Sequence, residues 1–273
     1  MVDQHSAAGN QIVLQAAAVS RSFRGLKALS DYAVSLRHGE ILGVIGPNGA
    51  GKTTLFNVIT GFIPPTDGQI TLKGQSVVGM PPEQILRAGI ARTFQNIRLF
   101  SGMTVIENVL TAQQVRQPAG FIESILSLPS FLGNERRMRD AALSHLRVLG
   151  LDQFADQPAT SLAYGYQRKL EIARALATGP TILLLDEPAA GMNHRETTEL
   201  IGFIRDIWAK FDLTIVVVEH DMSLIMRLCD RIQVLNYGRI IAEGTPGEIR
   251  VNPAVIEAYL GAPEDEDPIE ETA

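Results

Sequence analysis

The residues most suited to chemistry are Gly46-Pro47-Asn48-Gly49-Ala50-Gly51-Lys52-Thr53. They follow the continuous apolar run of residues 41–45 and open a stretch, residues 53–60, that reads as a helix stopped by Gly61. A strand, a glycine-rich loop and a helix in that order form a seat for phosphate. Glycine lets successive backbone N–H groups wrap an anion, and the helix N-terminus adds partial positive charge. In such a loop Lys52 reaches the β- and γ-phosphates of a nucleoside triphosphate such as ATP. The Thr53 hydroxyl is offered to Mg²⁺, with Thr54 beside it. A glycine-rich turn without a ligand is the plain alternative, and the flanking strand and helix count against it.

A second constellation lies at Ile182-Leu183-Leu184-Leu185-Asp186-Glu187, an apolar strand ending in two adjacent acids. Carboxylates at the end of a buried strand are costly unless a ligand needs them there. The carboxyl edge of a parallel sheet is where ligands bind. Asp186 is read as holding Mg²⁺ through water, and Glu187 as orienting and activating the attacking water. Alone, the pair reads equally well as a solvated loop; beside a phosphate loop it reads as a site.

Such residues work only if a scaffold brings them together. Residues 12–45 read as short strands broken by turns, and residues 69–94 as strands around a Pro81-Pro82 break. Residues 104–150 change character. Val105, Val109 and Ala112 recur at helical spacing, as do Met138, Ala142, Leu146 and Leu149, with Asn134 predicted as N-cap and Gly150 as stop. Residues 118–133 read as a loop with a short helix. From residue 165 the pattern alternates: helix 166–178, strand 182–185, helix 196–210, strand 214–218. The class is therefore α/β, a parallel sheet covered on both faces with a helical insertion. No internal repeat argues for two fused copies.

Composition narrows the class. The 273 residues suit one α/β domain with additions, and 45% hydrophobic residues suffice for a large core. The single cysteine, Cys229, excludes an internal disulfide, fits a reducing compartment and lies in an apolar stretch that reads as core. The formal charge of -6 resides in Glu264, Asp265, Glu266, Asp267, Glu270 and Glu271, so the body is neutral and residues 263–273 read as an acidic, disordered tail. Nothing resembles the basic footprint of a nucleic-acid binder. No apolar run approaches the roughly 18 residues that span a bilayer, and residues 1–10 lack a signal core. The expected place is the cytosol, with any membrane role exercised by docking on another protein.

Together these residues resemble the ATP-binding cassette (ABC) ATPases over residues 11–262. The resemblance implies a P-loop NTPase fold: a core sheet, an N-terminal antiparallel β subdomain and a helical subdomain at about residues 96–170. The separation of 134 positions from Lys52 to Asp186 leaves room for that insertion. Gln95, in Thr93-Phe94-Gln95-Asn96, matches the family's Q-loop glutamine, which contacts Mg²⁺. His220, in Val218-Glu219-His220-Asp221, matches the switch histidine, which contacts the γ-phosphate. Phe23 matches the aromatic that stacks on adenine.

Residues 162–168 resemble the signature, usually Leu-Ser-Gly-Gly-Gln, with Ala163, Tyr164 and Tyr166 departing from it. In the family, the signature of one subunit caps the ATP held by the other; here that role falls to Ala163, Tyr164 and Gly165. The missing serine hydroxyl costs about 1.5–3 kcal/mol unless another donor replaces it. Residues 188–193 correspond to the D-loop, with Asn193 in place of Asp.

Residues 91–100, the insertion at 111–150, and residues 243–246 through 259–261 are similar to the branched-chain amino acid (Liv-type) ATP-binding subunit. That branch implies an importer with a second cassette subunit, identical or different, two membrane permease subunits and a periplasmic or extracellular binding protein. It places the chain on the cytoplasmic face of the inner membrane. A cassette for another small solute such as urea, or a soluble ABC ATPase unconnected with transport, stays open. Ribosome-acting members carry two cassettes per chain and DNA-acting members a long coiled coil, and neither pattern occurs here. An Asn-Lys-x-Asp guanine-reading motif is also missing. Intact Lys52, Gln95, Asp186, Glu187 and His220 count against a non-enzymatic regulator.

Overall fold

The computed structural model describes residues 11–115 and 129–260. The acidic tail at 263–273 and much of the loop predicted at 118–133 lie outside the described residues. The first strands, β1 (Ile12–Phe23) and β2 (Leu26–Arg37), form a hairpin. Its two turn residues, Arg24 and Gly25, both have positive φ, 45° and 92°, the conformation that matches the twist of paired strands. With β4 (Asp67–Leu72) and β5 (Gln75–Ser76), the hairpin makes an antiparallel sheet in the order β2-β1-β4-β5.

The remaining strands are β3 (Ile41–Ile45), β6 (Ile90–Arg92), β7 (Ile182–Asp186), β8 (Thr214–Val218), β9 (Arg231–Asn236) and β10 (Arg239–Gly244). They form one sheet in the order β10-β9-β3-β8-β7-β6, parallel except for the edge strand β10. Between and after the strands come α1 (Lys52–Ile59), α2 (Pro82–Ala88), α3 (Val105–Gln113), α4 (Pro129–Val148), α5 (Tyr164–Ala177), α6 (His194–Phe211), α7 (Met222–Leu228), α8 (Pro246–Arg250) and α9 (Pro253–Leu260).

Alternation along the strands assigns the two faces. Ile41, Ile45, Leu183, Leu185, Ile215 and Val217 join a core with α3 to α6. Their neighbours Leu42, Val44, Ile182, Leu184, Val216 and Val218 join a second core with Leu55 and Phe56 of α1 and the antiparallel sheet. Each such burial stabilises by about 1.5–3 kcal/mol. Gly43 is small for a reason: a Cβ there would lie 3.0 Å from the Cys229 Sγ. Cys229 is thus core packing, and burial pushes its thiol pKa far up.

Several boundaries differ from expectation. Residues 12–37 hold two 12-residue strands, β1 and β2, rather than short ones. The Pro81-Pro82 break begins a helix, α2, with Pro82 in its first turn and Gly89 closing it at φ 115°. The fixed φ of proline suits a first turn, where its missing N–H costs nothing. Helix α4 runs through Asn134, so the predicted N-cap is an interior residue; asparagine inside a helix costs only tenths of a kcal/mol. The spaced positions Ala142, Leu146 and Leu149 are buried as the periodicity required. Helix α5 starts at Tyr164 rather than Tyr166, which brings Tyr164 and Gly165 into its first turn.

Candidate functional site

The phosphate loop joins β3 to α1 and tolerates only glycine at its two ends. At Gly46, φ is 152° and a Cβ would sit 2.1 Å from the Leu235 carbonyl oxygen; at Gly51, φ is 106° and a Cβ would sit 2.5 Å from that of Ala28. Between them Asn48 and Gly49 are exposed, Pro47 half-buried and Ala50 buried. Gly51 is the N-cap of α1 and offers no side-chain acceptor to the first-turn N–H groups. That end of the helix is built for an anion. Lys52 bends back so that its Nζ donates to the carbonyl oxygens of Gly46 at 2.6 Å and Pro47 at 3.0 Å. Burial lowers the Lys52 pKa, while Glu187 and Asp186 act in the opposite direction. Thr53, exposed, and Thr54, half-buried, complete the first turn.

The carboxylate pair sits where expected, at the carboxyl end of β7. Asp186 is 5% exposed and is paired with Val218 of β8. Glu187 donates its N–H to the Val218 carbonyl at 2.8 Å and holds φ at 45°, a left-handed conformation that costs a non-glycine residue energy and is concentrated at functional positions. Gln95, just beyond β6, donates Nε2–H to Glu187 Oε2 at 2.7 Å. His220, just beyond β8, places Nδ1 3.6 Å from the same oxygen. Residues far apart in the chain therefore meet at one carboxylate oxygen, because β6, β7 and β8 are neighbours.

The oxygens of Thr53, Gln95 and Asp186 suit Mg²⁺, which is held by one or two carboxylates together with substrate phosphates and water. Among the described residues no group of three or more His, Cys, Asp or Glu could hold a metal.

Three buried charges were not anticipated. Arg92 donates to Asp186 Oδ2 at 2.6 Å. Glu219, wholly buried, accepts N–H groups from Ala189 at 2.7 Å, His220 at 3.0 Å and Asp221 at 3.3 Å. It thereby fixes the start of the loop after Glu187 against His220; burial raises its pKa, against those N–H bonds. Arg168, also fully buried, donates to the carbonyls of Phe94 and Gln95, each at 2.8 Å, and to Glu171 at 2.7 Å. The only hint in the sequence was an acid beside His220; Arg92 and Arg168 gave none.

The signature segment opens α5. Ala163 is its N-cap with no side-chain cap, and a Cβ at Gly165 would meet nothing within 4 Å. Packing inside the chain gives no reason for a glycine there. The Tyr164 hydroxyl donates to the Ala190 carbonyl at 2.8 Å and receives from Arg168 at 3.3 Å. The tyrosine that departs from the signature thus ties it to the loop of residues 188–193. Tyr166 packs on the ring of Phe154, with centroids 4.8 Å apart. Asn193 caps α6: its side chain accepts from Arg195 and Glu196, and Glu196 accepts from the Asn193 N–H, a reciprocal box. Asparagine caps as well as aspartate does. Tyr164→Phe is expected to cost about 1 kcal/mol in denaturant unfolding, and up to about fivefold in ATP turnover if the whole loss is felt in the transition state. ATP affinity of the single subunit should not change.

Phe23 stands at the tip of the β1–β2 hairpin, 38% exposed, under the Arg21 guanidinium at 4.6 Å. Its ring contact is with Arg21 and not with the cluster around Glu187. The same hairpin places Ala28 against Gly51, which puts an exposed aromatic on the element that borders the phosphate loop.

This combination defines an ABC-type nucleotide-binding cassette, and residues 29–190 match the ABC transporter family. The chain belongs to that family. Residues 239–265 match a second family, the branched-chain amino acid ATP-binding cassette transporters. The chain is 50% identical over 239 residues to the high-affinity branched-chain amino acid transport ATP-binding protein LivG of Salmonella typhimurium, covering 88% of this chain and 94% of that one. It is 44% identical over 249 residues to BraF of Pseudomonas aeruginosa, which carries the same description, with 91% and 98% covered. Its fold is similar to a solved ATP-binding cassette of an ABC transporter in the ADP conformation, with a TM-score of 0.81, 30% identity, and 93% and 100% covered. No helix among the described residues is long and apolar enough to cross a membrane.

Proposed function

We propose that the chain is the ATP-hydrolysing subunit of an importer for branched-chain or other hydrophobic amino acids. The observation that carries this reading is the convergence of Gln95 and His220 on the Glu187 carboxylate, two strands from the phosphate loop. Adenine stacks on Phe23. The phosphates lie against the loop of residues 46–53, where Lys52 exchanges its carbonyl partners for phosphate oxygens. Glu187 takes the proton of the attacking water, a contribution of about 10²–10⁴ in rate. Gln95 orients that carboxylate, and His220 contacts the γ-phosphate. Thr53, Asp186 and Gln95 would hold Mg²⁺, which neutralises charge on the phosphates when bound.

One chain supplies half of this site. The open N-terminus of α5 at Ala163, Tyr164 and Gly165 is read as the cap over ATP held by a second cassette, identical or different. ATP favours the closed pair and hydrolysis releases it, a two-state switch biased by nucleotide. A cavity of about 450 Å³ lined by Phe94, Arg98, Phe100, Thr111, Ala112 and Arg174 lies between β6, α3 and α5. It suits a helix of one of two permease subunits, which would place the chain at the cytoplasmic face of the inner membrane and downstream of a periplasmic or extracellular binding protein. The amino acid assignment is supported by the relatives' descriptions; no residue here touches the solute. Co-purification from native membranes should recover two permease subunits and a cassette. Recovery of ribosomal or DNA-bound chains in their place would contradict the transport reading.

A further inference from the structure

Arg92 is the last residue of β6, and its side chain is 5% exposed. Its guanidinium is held from three directions. One terminal nitrogen donates to Asp186 Oδ2 at 2.6 Å. The other donates to Asn57 Oδ1 of α1 at 2.7 Å. The plane lies against the rings of Phe56, at 5.3 Å, and Phe94, at 5.2 Å. The fork thus joins the helix that carries Lys52 and Thr53, the carboxylate at the end of β7, and the residue preceding Gln95. The next residue repeats the link: Thr93 donates its N–H to the Leu184 carbonyl at 2.9 Å, and its hydroxyl accepts the Asp186 N–H at 3.4 Å.

A rigid planar donor can hold two acceptors at a fixed separation, and an ammonium cannot. We propose that Arg92 is a positioning residue for the ion site. By occupying Oδ2 it holds Asp186 in one rotamer and leaves Oδ1 as the oxygen available to the ion's hydration shell. Its arm on Asn57 keeps that oxygen in register with Thr53. The inference rests on the reading of Asp186 as a Mg²⁺ ligand. Neighbours that orient a metal ligand typically change metal affinity by about 10–100-fold when mutated.

The test is equilibrium binding of a fluorescent ATP analogue titrated with Mg²⁺, with thermal unfolding of each variant alongside. In the wild-type chain Mg²⁺ should tighten analogue binding; if it does not, the ion-site reading itself fails, whatever Arg92 does. In Arg92→Met the Mg²⁺ midpoint should rise by about tenfold or more, referred to that variant's own Mg²⁺-free binding. Arg92→Lys keeps the charge and gives a second readout should the methionine variant fail to fold. Lacking the fork, it should still show the raised midpoint. A wild-type midpoint in Arg92→Lys would reduce the role to charge alone and overturn the proposal. So would a fall in thermal stability with the Mg²⁺ midpoint unmoved.

Discussion

Glu187→Gln is expected to lower ATP turnover by about 10²–10⁴-fold while ATP binding survives. Glutamine has the same shape and meets the same left-handed backbone at φ 45°, so folding should change little. What it cannot do is accept the water's proton. The change also replaces one of the two oxygens of the carboxylate on which Gln95 and His220 converge. Phosphate release at saturating ATP, set against binding of a fluorescent ATP analogue, separates the two effects. Turnover that persisted would assign the base to another residue.

Lys52→Ala should abolish useful ATP affinity, weakening it by about 10²–10⁴-fold, since each hydrogen bond to a charged group contributes about 1.5–3 kcal/mol and Lys52 is proposed to reach two phosphates. The empty protein should remain folded. Without nucleotide the ammonium is a burden, because burial lowers its pKa below 10.5. A base with a depressed folded pKa holds its proton less well in the folded state. The wild-type chain should therefore gain stability as pH rises from that folded value towards 10.5, and Lys52→Ala should lose this dependence. Isothermal titration with ATP, and unfolding followed across that pH range, check the two halves.

Much of the catalytic side was legible because its signals are local. The phosphate loop is a run of eight residues, and the acids of β7 and His220 each follow a buried strand directly. Continuous apolar runs marked β3, β7 and β8, since strands buried on both faces leave little else to write there. What escaped was non-local. Arg92 and Asp186 are 94 residues apart, and Arg168 and Gln95 are 73 apart. No spacing rule announces a buried ion pair that the sheet order alone brings together. Glu219 carries no role in the sequence beyond standing beside His220, and its three N–H donors show what it holds. The hydroxyl of Tyr164 escaped for a related reason. A departure from a signature says which group is lost, not which carbonyl the new side chain will reach. The start of α2 escaped because paired prolines punctuate either a loop or a first helical turn, and only the fold decides which.

The central claim, that hydrolysis in this chain drives amino acid import, is met most directly in proteoliposomes. These would contain the two permease subunits, this chain and its partner cassette, with ATP enclosed and loaded binding protein outside. Radiolabelled leucine should accumulate inside only with ATP, and accumulation should cease when Glu187→Gln replaces the wild-type chain. Leucine uptake that continued undiminished with that variant, or ATP hydrolysis unchanged by the loaded binding protein, would contradict the account.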